Sequence, residues 1–133
     1  MTFNSTRIIT GNINALIDFY QQITGSDAHR LTEDFAEFRT PLATLAIGST
    51  RTLNFFGGES VATPSTNRSV ILEFRVDDVD AHYERLSDFL KACIVQKPTT
   101  MPWGNRSLLF RDPDGNLINF FTPITPDAAE RFK

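Results

Sequence analysis

The sequence predicts an α+β fold made of two tandem βαβββ modules, because one order of elements occurs twice in 133 residues. A β-branched run at residues 6–10 is followed by a break at Gly11 and by apolar residues at helical spacing as far as Gly25. The same order of strand, turn and amphipathic helix begins again at residues 70–76. These two observations predict the start of each module.

Three further short runs are predicted as strands after each helix, with Gly, Pro or polar turns between them. In the first half they are residues 35–40, 44–47 and 52–56. In the second half they lie near Ile94, Leu108 and Leu117. Each set of three is expected to form an antiparallel meander.

Two short stretches recur at nearly one offset, which indicates a duplication. The letters around Asn54 and Asn119 agree (LNFF and INFF), and 119 − 54 gives 65 residues. Residues 12–15 match residues 78–81, and 78 − 12 gives 66. The predicted boundaries are residues 1–60 for the first module, 61–68 for a linker and 69–133 for the second module.

A short C-terminal helix is predicted after residue 125. Thr125 has the N-cap residue type, Pro126 suits the first helical position, and Asp127 lies at the positive helix end.

Composition and charge exclude several partners. The net charge is −3 with no basic run, so the electrostatic attraction on which nucleic-acid binding depends is missing. No apolar stretch approaches the roughly 20 residues that span a bilayer, and the N-terminal letters lack the order of a signal peptide. We expect a soluble cytoplasmic protein without a nucleic-acid or membrane partner, in which the single cysteine, Cys93, is a small buried hydrophobe.

Four motifs carry a family resemblance. They are residues 15–20 (ALIDFY) leading to Gly25, residues 76–81 (VDDVDA), the Trp103-Gly104 pair, and residues 112–116 (DPDGN). Together they are similar to the glyoxalase, bleomycin-resistance and extradiol-dioxygenase superfamily, also called vicinal oxygen chelate proteins. The resemblance covers nearly the whole chain. It implies an open, barrel-like mixed sheet around a cleft, commonly in a homodimer.

The resemblance also implies where a metal would bind. In metal-using members, His or Glu ligands lie on the first and fourth strands of each module, and these positions fall on Ser5, Asn54, Ile71 and Asn119. None of the four offers an imidazole, thiolate or carboxylate, and Ile71 has no lone pair. We therefore expect no metal, no other cofactor and no catalytic residue.

Strand alternation predicts which side chains face the implied cleft. On residues 70–76 and 117–121, one face is apolar while the other combines amide, charged and aromatic groups, as a site for an organic ligand requires. The predicted ligand-binding residues are Arg7, Phe38, Asn54, Phe56, Ile71, Glu73, Arg75, Trp103, Asn119 and Phe121.

Plainer interpretations stay open for several of these residues. Glu73 and Arg75 could form an ordinary ion pair, and Asn54 and Asn119 could hydrogen-bond each other as a structural tie. Trp103 could be a packing lid. Phe35 and Phe38 lie at odd separation on one strand, so only one can face the cleft, and we favour Phe38.

The sequence is typical of a small-molecule binding protein that sequesters a drug or metabolite in a metal-free cleft. The alternative is a metal-dependent lyase, isomerase or dioxygenase of the same superfamily, and a third possibility is a scaffold with a vestigial cleft. No phosphate-binding glycine loop, Cys-x-x-Cys pair or nucleophile elbow is present to indicate other chemistry.

Overall fold

The computed structural model describes residues 1–133 and contains two compact units, Met1–Asn67 and Arg68–Lys133. The first unit contains β1 (Ser5–Thr10), α1 (Ile13–Thr24), β2 (His29–Thr32), β3 (Phe35–Arg39) and β4 (Thr44–Ser49), then 3-10 helices at Thr50–Phe55 and Glu59–Val61. The second contains β5 (Ile71–Arg75), α2 (Val79–Leu90), β6 (Ile94–Thr100), β7 (Asn105–Arg111), β8 (Leu117–Pro123) and α3 (Pro126–Glu130). The predicted α+β fold with two βαβββ modules is confirmed.

Each module forms its own four-stranded mixed sheet, ordered β1-β4-β3-β2 in the first and β5-β8-β7-β6 in the second. The first and last strands of a module pair in parallel, and the other neighbours are antiparallel. The sheets are not closed barrels. No helix is long and apolar enough to cross a membrane.

The two long helices begin in the same way. The side chains of Asn12 and Asp78 accept hydrogen bonds from the backbone N–H groups of Ala15 and Ala81, at 3.1 Å each. Such a bond satisfies an N–H group that has no partner inside the helix. Helix α1 ends at Gly25, whose φ of 68° is the left-handed conformation that glycine adopts readily.

The helices bury their apolar sides against the sheets. In the first module Leu16, Tyr20 and Ile23 of α1 are fully buried, as is Ile47 of β4. In the second module Phe120 of β8 is 1% exposed, and its ring lies 5.5 Å from the ring of His82 on α2. His82 is therefore half-buried, and burial lowers its pKa.

The predicted strand at residues 52–56 is wrong, because Thr50–Phe55 is a 3-10 helix. Ser49 caps this helix by accepting from the N–H of Arg51, and the Thr52 hydroxyl donates to the Ser49 carbonyl at 2.7 Å. The position beside β1 is taken by β4 instead. The strand that sequence reasoning missed is β2, a four-residue edge strand whose residues are all exposed.

The C-terminal helix is confirmed with its predicted cap. The Thr125 side chain accepts from the N–H of Ala128 at 3.2 Å, and Pro126 occupies the first turn. Just before the helix, the chain passes close to Gly104, whose carbonyl accepts a hydrogen bond from the N–H of Ile124 at 2.9 Å. The Gly104 φ of 91° is in the region that favours glycine.

Candidate functional site

The second module has one sheet face that α2 does not cover. Paired strand residues share a face, so Glu73 with Asn119 and Arg75 with Phe121 lie on it. The opposite face carries Phe120, which packs against α2, so the predicted alternation is confirmed. We call the uncovered surface the second helix-free face, defined by Ile71, Glu73, Arg75, Asn119 and Phe121.

Asn119 is held in one orientation at the centre of this face. Its Nδ2 donates to Glu73 Oε2 at 2.9 Å, and an ionised carboxylate can only accept, so the amide cannot be reversed. The side chain is 8% exposed, and its Oδ1 is buried without a hydrogen-bond donor. A buried unsatisfied oxygen costs roughly 1–3 kcal/mol, so this acceptor is left unpaired at a cost to stability.

Arg75 binds the C-terminal end of the chain instead of Glu73. Its Nη1 donates to the Phe132 carbonyl at 2.8 Å, and its Cζ lies 5.5 Å from the centre of the Phe132 ring. That ring lies 5.3 Å from the ring of Phe121. The ion pair considered for Glu73 and Arg75 does not form, and Phe132 covers part of the second helix-free face.

The first module has an equivalent face, on which Arg7 is the central charged group. Arg7 pairs in register with Ala46, and Phe35 pairs with Gly48. The Arg7 Cζ lies 4.5 Å from the centre of the Phe35 ring and 5.1 Å from that of Phe56. We call this surface the first helix-free face, defined by Arg7, Phe35, Ala46, Gly48 and Phe56.

The choice of Phe38 over Phe35 is wrong. Phe38 is 5% exposed, and its ring lies 6.1 Å from that of Tyr20 on α1. It therefore belongs to the helix side of the sheet. Phe35, three residues earlier, points to the other side, where it contacts Arg7.

Asn54 does not correspond to Asn119, although the surrounding letters agree. Asn54 is exposed in the 3-10 helix, outside the sheet. Glu73 pairs with Asn119 in the second sheet, and Arg7, 66 residues before Glu73, pairs with Ala46 in the first. The residue equivalent to Asn119 is therefore Ala46, which no polar signal in the sequence could have indicated.

Trp103 lies in the predicted loop, between β6 and β7, and is 57% exposed. Ile71 is 50% exposed at the start of β5. Both side chains present apolar surface to the surroundings. Cys93 is half-buried, and burial raises the pKa of its thiol.

Two carboxylates of the first module, Asp34 and Glu37, are held in salt bridges. Asp34 accepts from Ser49 and Arg51 at 2.7 and 2.8 Å, and the hydrogen bond from Arg51 is the main cause of its lowered pKa. Glu37 accepts from Arg39 at 2.9 Å. The lowered pKa makes Asp34 poorly suited to act as a general acid near neutral pH.

Comparison with known proteins identifies the family. Residues 2–120 match the family model described as Glyoxalase/Bleomycin resistance protein/Dioxygenase superfamily. The chain belongs to this superfamily. The uncharacterized protein YwbC of Bacillus subtilis (strain 168) is 26% identical over 117 residues, which cover 87% of this chain and 93% of that protein.

Solved structures of the superfamily share the fold. A glyoxalase/bleomycin resistance protein/dioxygenase family enzyme from Burkholderia phytofirmans PsJN matches with a TM-score of 0.79 at 18% identity, over 93% of this chain and all of that one. A glyoxalase-related enzyme from Fulvimarina pelagi matches with a TM-score of 0.76 at 17% identity, over 96% of this chain and 94% of that one.

The residues present do not fit the metal that some superfamily members bind. With Ala46 in place of Asn54, the four positions implied by the resemblance are Ser5, Ala46, Ile71 and Asn119. Two of them are hydrocarbon side chains, and the Nδ2 of Asn119 is occupied by Glu73. No group of three or more His, Cys, Asp or Glu residues that could hold a metal occurs in the chain. The donor set is unsuitable for a transition metal.

Proposed function

We propose that this superfamily member binds a small organic molecule without a metal and sequesters it. The observation that carries the proposal is Asn119, whose oriented amide leaves a buried oxygen without a donor at a position where metal-using members have a ligand. The half-exposed Ile71 supplies apolar surface on the same face, and the buried Phe121 packs there against Phe132. An oriented polar group among apolar side chains is the usual composition of an organic-ligand site.

The second candidate is a metal-dependent lyase, isomerase or dioxygenase, in line with the word "enzyme" in the descriptions of two structural relatives. It needs ligands that Ser5, Ala46, Ile71 and Asn119 do not supply. For this reason we favour binding over catalysis. We place the protein in the cytoplasm on the sequence features alone.

A thermal-shift screen over metabolites and antibiotics, with and without divalent metals, tests the proposal. A ligand that binds only the folded state raises the melting temperature by mass action. We expect metal-independent hits and no stoichiometric metal in elemental analysis of the dialysed protein. Hits should change the emission of Trp103, the single tryptophan, and weaken in Asn119→Leu. Tightly retained metal, or hits that require metal, would instead support the enzyme.

We also propose a homodimer, which the sequence led us to expect. Each sheet ends in two edge strands, and an unpaired edge is available to another chain. Sedimentation equilibrium should give twice the mass of the chain. A monomer at high micromolar concentration would contradict this expectation, and a charged substitution in the exposed strand β2, such as Leu31→Lys, tests whether that edge takes part.

A further inference from the structure

We infer that the first helix-free face recognises an oxyanion, such as a carboxylate, carried by a small organic molecule, and that Arg7 is the residue that binds it. The inference goes beyond the proposed function and concerns the first module by itself. Four features of the first module carry it: the aromatic rings that hold Arg7, the free donors of its guanidinium, the charge around it and the apolar surface beside it.

Two rings fix the position of the guanidinium. The ring of Phe35 comes from β3 and that of Phe56 follows the 3-10 helix, and their centres lie 4.5 and 5.1 Å from Arg7 Cζ. Both separations are within the range of cation–π attraction. A long side chain that is held in this way loses less conformational entropy when it binds a ligand. Arg7 is therefore partly preorganised.

The backbone of β4 provides the space in which Arg7 lies. A Cβ atom added to Gly48 would be 3.6 Å from Arg7 Cδ and 3.0 Å from Thr52 Oγ1. The Thr52 hydroxyl is itself fixed by the Ser49 carbonyl. The contact with Arg7 Cδ would be an ordinary van der Waals distance and the contact with Thr52 Oγ1 a tight one, so Arg7 lies close against the Gly48 backbone.

The donors of Arg7 are unused within the chain. Arg7 is exposed, and its guanidinium makes neither a hydrogen bond nor an ion pair with any residue. Glu37 shares a row of the first helix-free face with Arg7 and Ala46, and its carboxylate is in a salt bridge with Arg39 at 2.9 Å. Arg7 itself is in no ion pair, and its planar fork matches the two oxygens of a carboxylate.

Apolar surface lies next to the charge. Phe56 is 59% exposed, and Phe55, at the end of the same 3-10 helix, is 89% exposed. Exposed rings beside a free guanidinium favour an anion attached to an apolar or aromatic body over an inorganic ion.

The test compares two molecules that differ only in the charged group. Phenylacetate and its neutral isostere phenylacetamide are titrated into the 15N-labelled full chain at constant ionic strength, and the Arg7 Nε–H signal is followed by NMR. That signal is assigned by its disappearance in Arg7→Gln. We expect phenylacetate to shift it saturably and phenylacetamide to leave it unchanged. Phenyl phosphate, in a third titration, shows whether the oxyanion preferred is a carboxylate or a phosphate.

Variants of Arg7 and Arg30 distinguish specific recognition of the oxyanion from a general effect of positive charge. Arg7→Gln should weaken phenylacetate binding about tenfold to a hundredfold, as expected for the loss of hydrogen bonds to a charged group. Arg7→Lys keeps the charge but loses the fork, so we expect an intermediate loss. The matched control is Arg30→Gln, which removes one positive charge from β2, where Arg30 is bonded to Asn14 of α1. It should change the affinity less than about twofold.

Three results would overturn the inference: equal shifts by phenylacetamide and phenylacetate, an Arg7→Gln affinity equal to that of the unmodified chain, or no shift at Arg7 with either oxyanion. In each case the function of Arg7 would be limited to packing over the rings of Phe35 and Phe56. The proposed function would survive these results if the thermal-shift screen still gave metal-free hits that depend on Asn119, so the two failures are distinguishable.

Discussion

Replacing Phe120 with alanine is expected to lower the free energy of unfolding by about 3–5 kcal/mol. The ring is 1% exposed, and it makes edge contacts with Phe110 at 5.2 Å and Phe74 at 5.6 Å. Truncation removes the buried apolar area and leaves a cavity that the neighbouring rings fill only in part. Urea denaturation followed by circular dichroism measures the loss.

The matched control for Phe120→Ala is Phe55→Ala. Phe55 has the same side chain, comes from the stretch whose letters resemble those around Phe120, and is 89% exposed. Its truncation should change stability by less than about 0.5 kcal/mol. Similar losses in the two variants would show that the second module does not depend on this packing.

The second module was predictable because its local signals agree with its tertiary pairing. At residues 112–116 the Asp112 Oδ1 accepts from the N–H groups of Asp114 and Asn116, and Gly115 adopts a φ of 87°. These are the turn features that the sequence indicates. The turn fixes where β8 begins, and the parallel pairing of β5 with β8 then places Glu73 beside Asn119.

The first module was predicted less well because similar letters fold differently there. The stretch around Asn54 resembles β8, but Ser49 caps a helical turn before it, and Gly57 and Gly58 follow with φ of 103° and 100°. Local capping and glycine stops outweighed the β propensity of the aromatic residues. The side-chain direction of a residue in such a turn cannot be predicted from the alternation of side chains along a β-strand.

Only part of the candidate site could be predicted, because its contacts depend on the same turn and on the end of the chain. The family resemblance indicates Asn119, and alternation predicts Arg7, Glu73 and Arg75, but the partners of these side chains are visible only in the structure. Phe56 contacts Arg7 through the 3-10 turn, and Phe132 reaches Arg75 from the chain end. Both contacts join residues far apart in sequence, and no local pattern encodes them.

Replacing Gly104 with alanine is expected to lower the free energy of unfolding by about 2–4 kcal/mol and to release α3. A Cβ atom here would overlap Thr125 Oγ1 and would lie 3.0 Å from Ala128 Cβ. The threonine hydroxyl could rotate away, but the Thr125 Cβ at 3.1 Å and Ala128 belong to the packed backbone turn. The φ of 91° adds strain for any residue with a side chain.

Urea denaturation gives the loss of stability in Gly104→Ala, and the amide NMR signal of Ala128, which is 1% exposed in the folded chain, reports whether α3 has left the sheet. Gly11→Ala is the matched control, because nothing lies within 4 Å of a Cβ added at Gly11 and its φ is outside the positive range. We expect it to change stability by less than about 0.5 kcal/mol. If Gly104→Ala were as mild as this control, with the Ala128 signal unchanged, the close packing of α3 on the Trp103-Gly104 loop would be refuted. Loss of α3 should also weaken the contact of Phe132 with Arg75, because the Phe132 N–H donates to the carbonyl of Ala129 at the end of this helix.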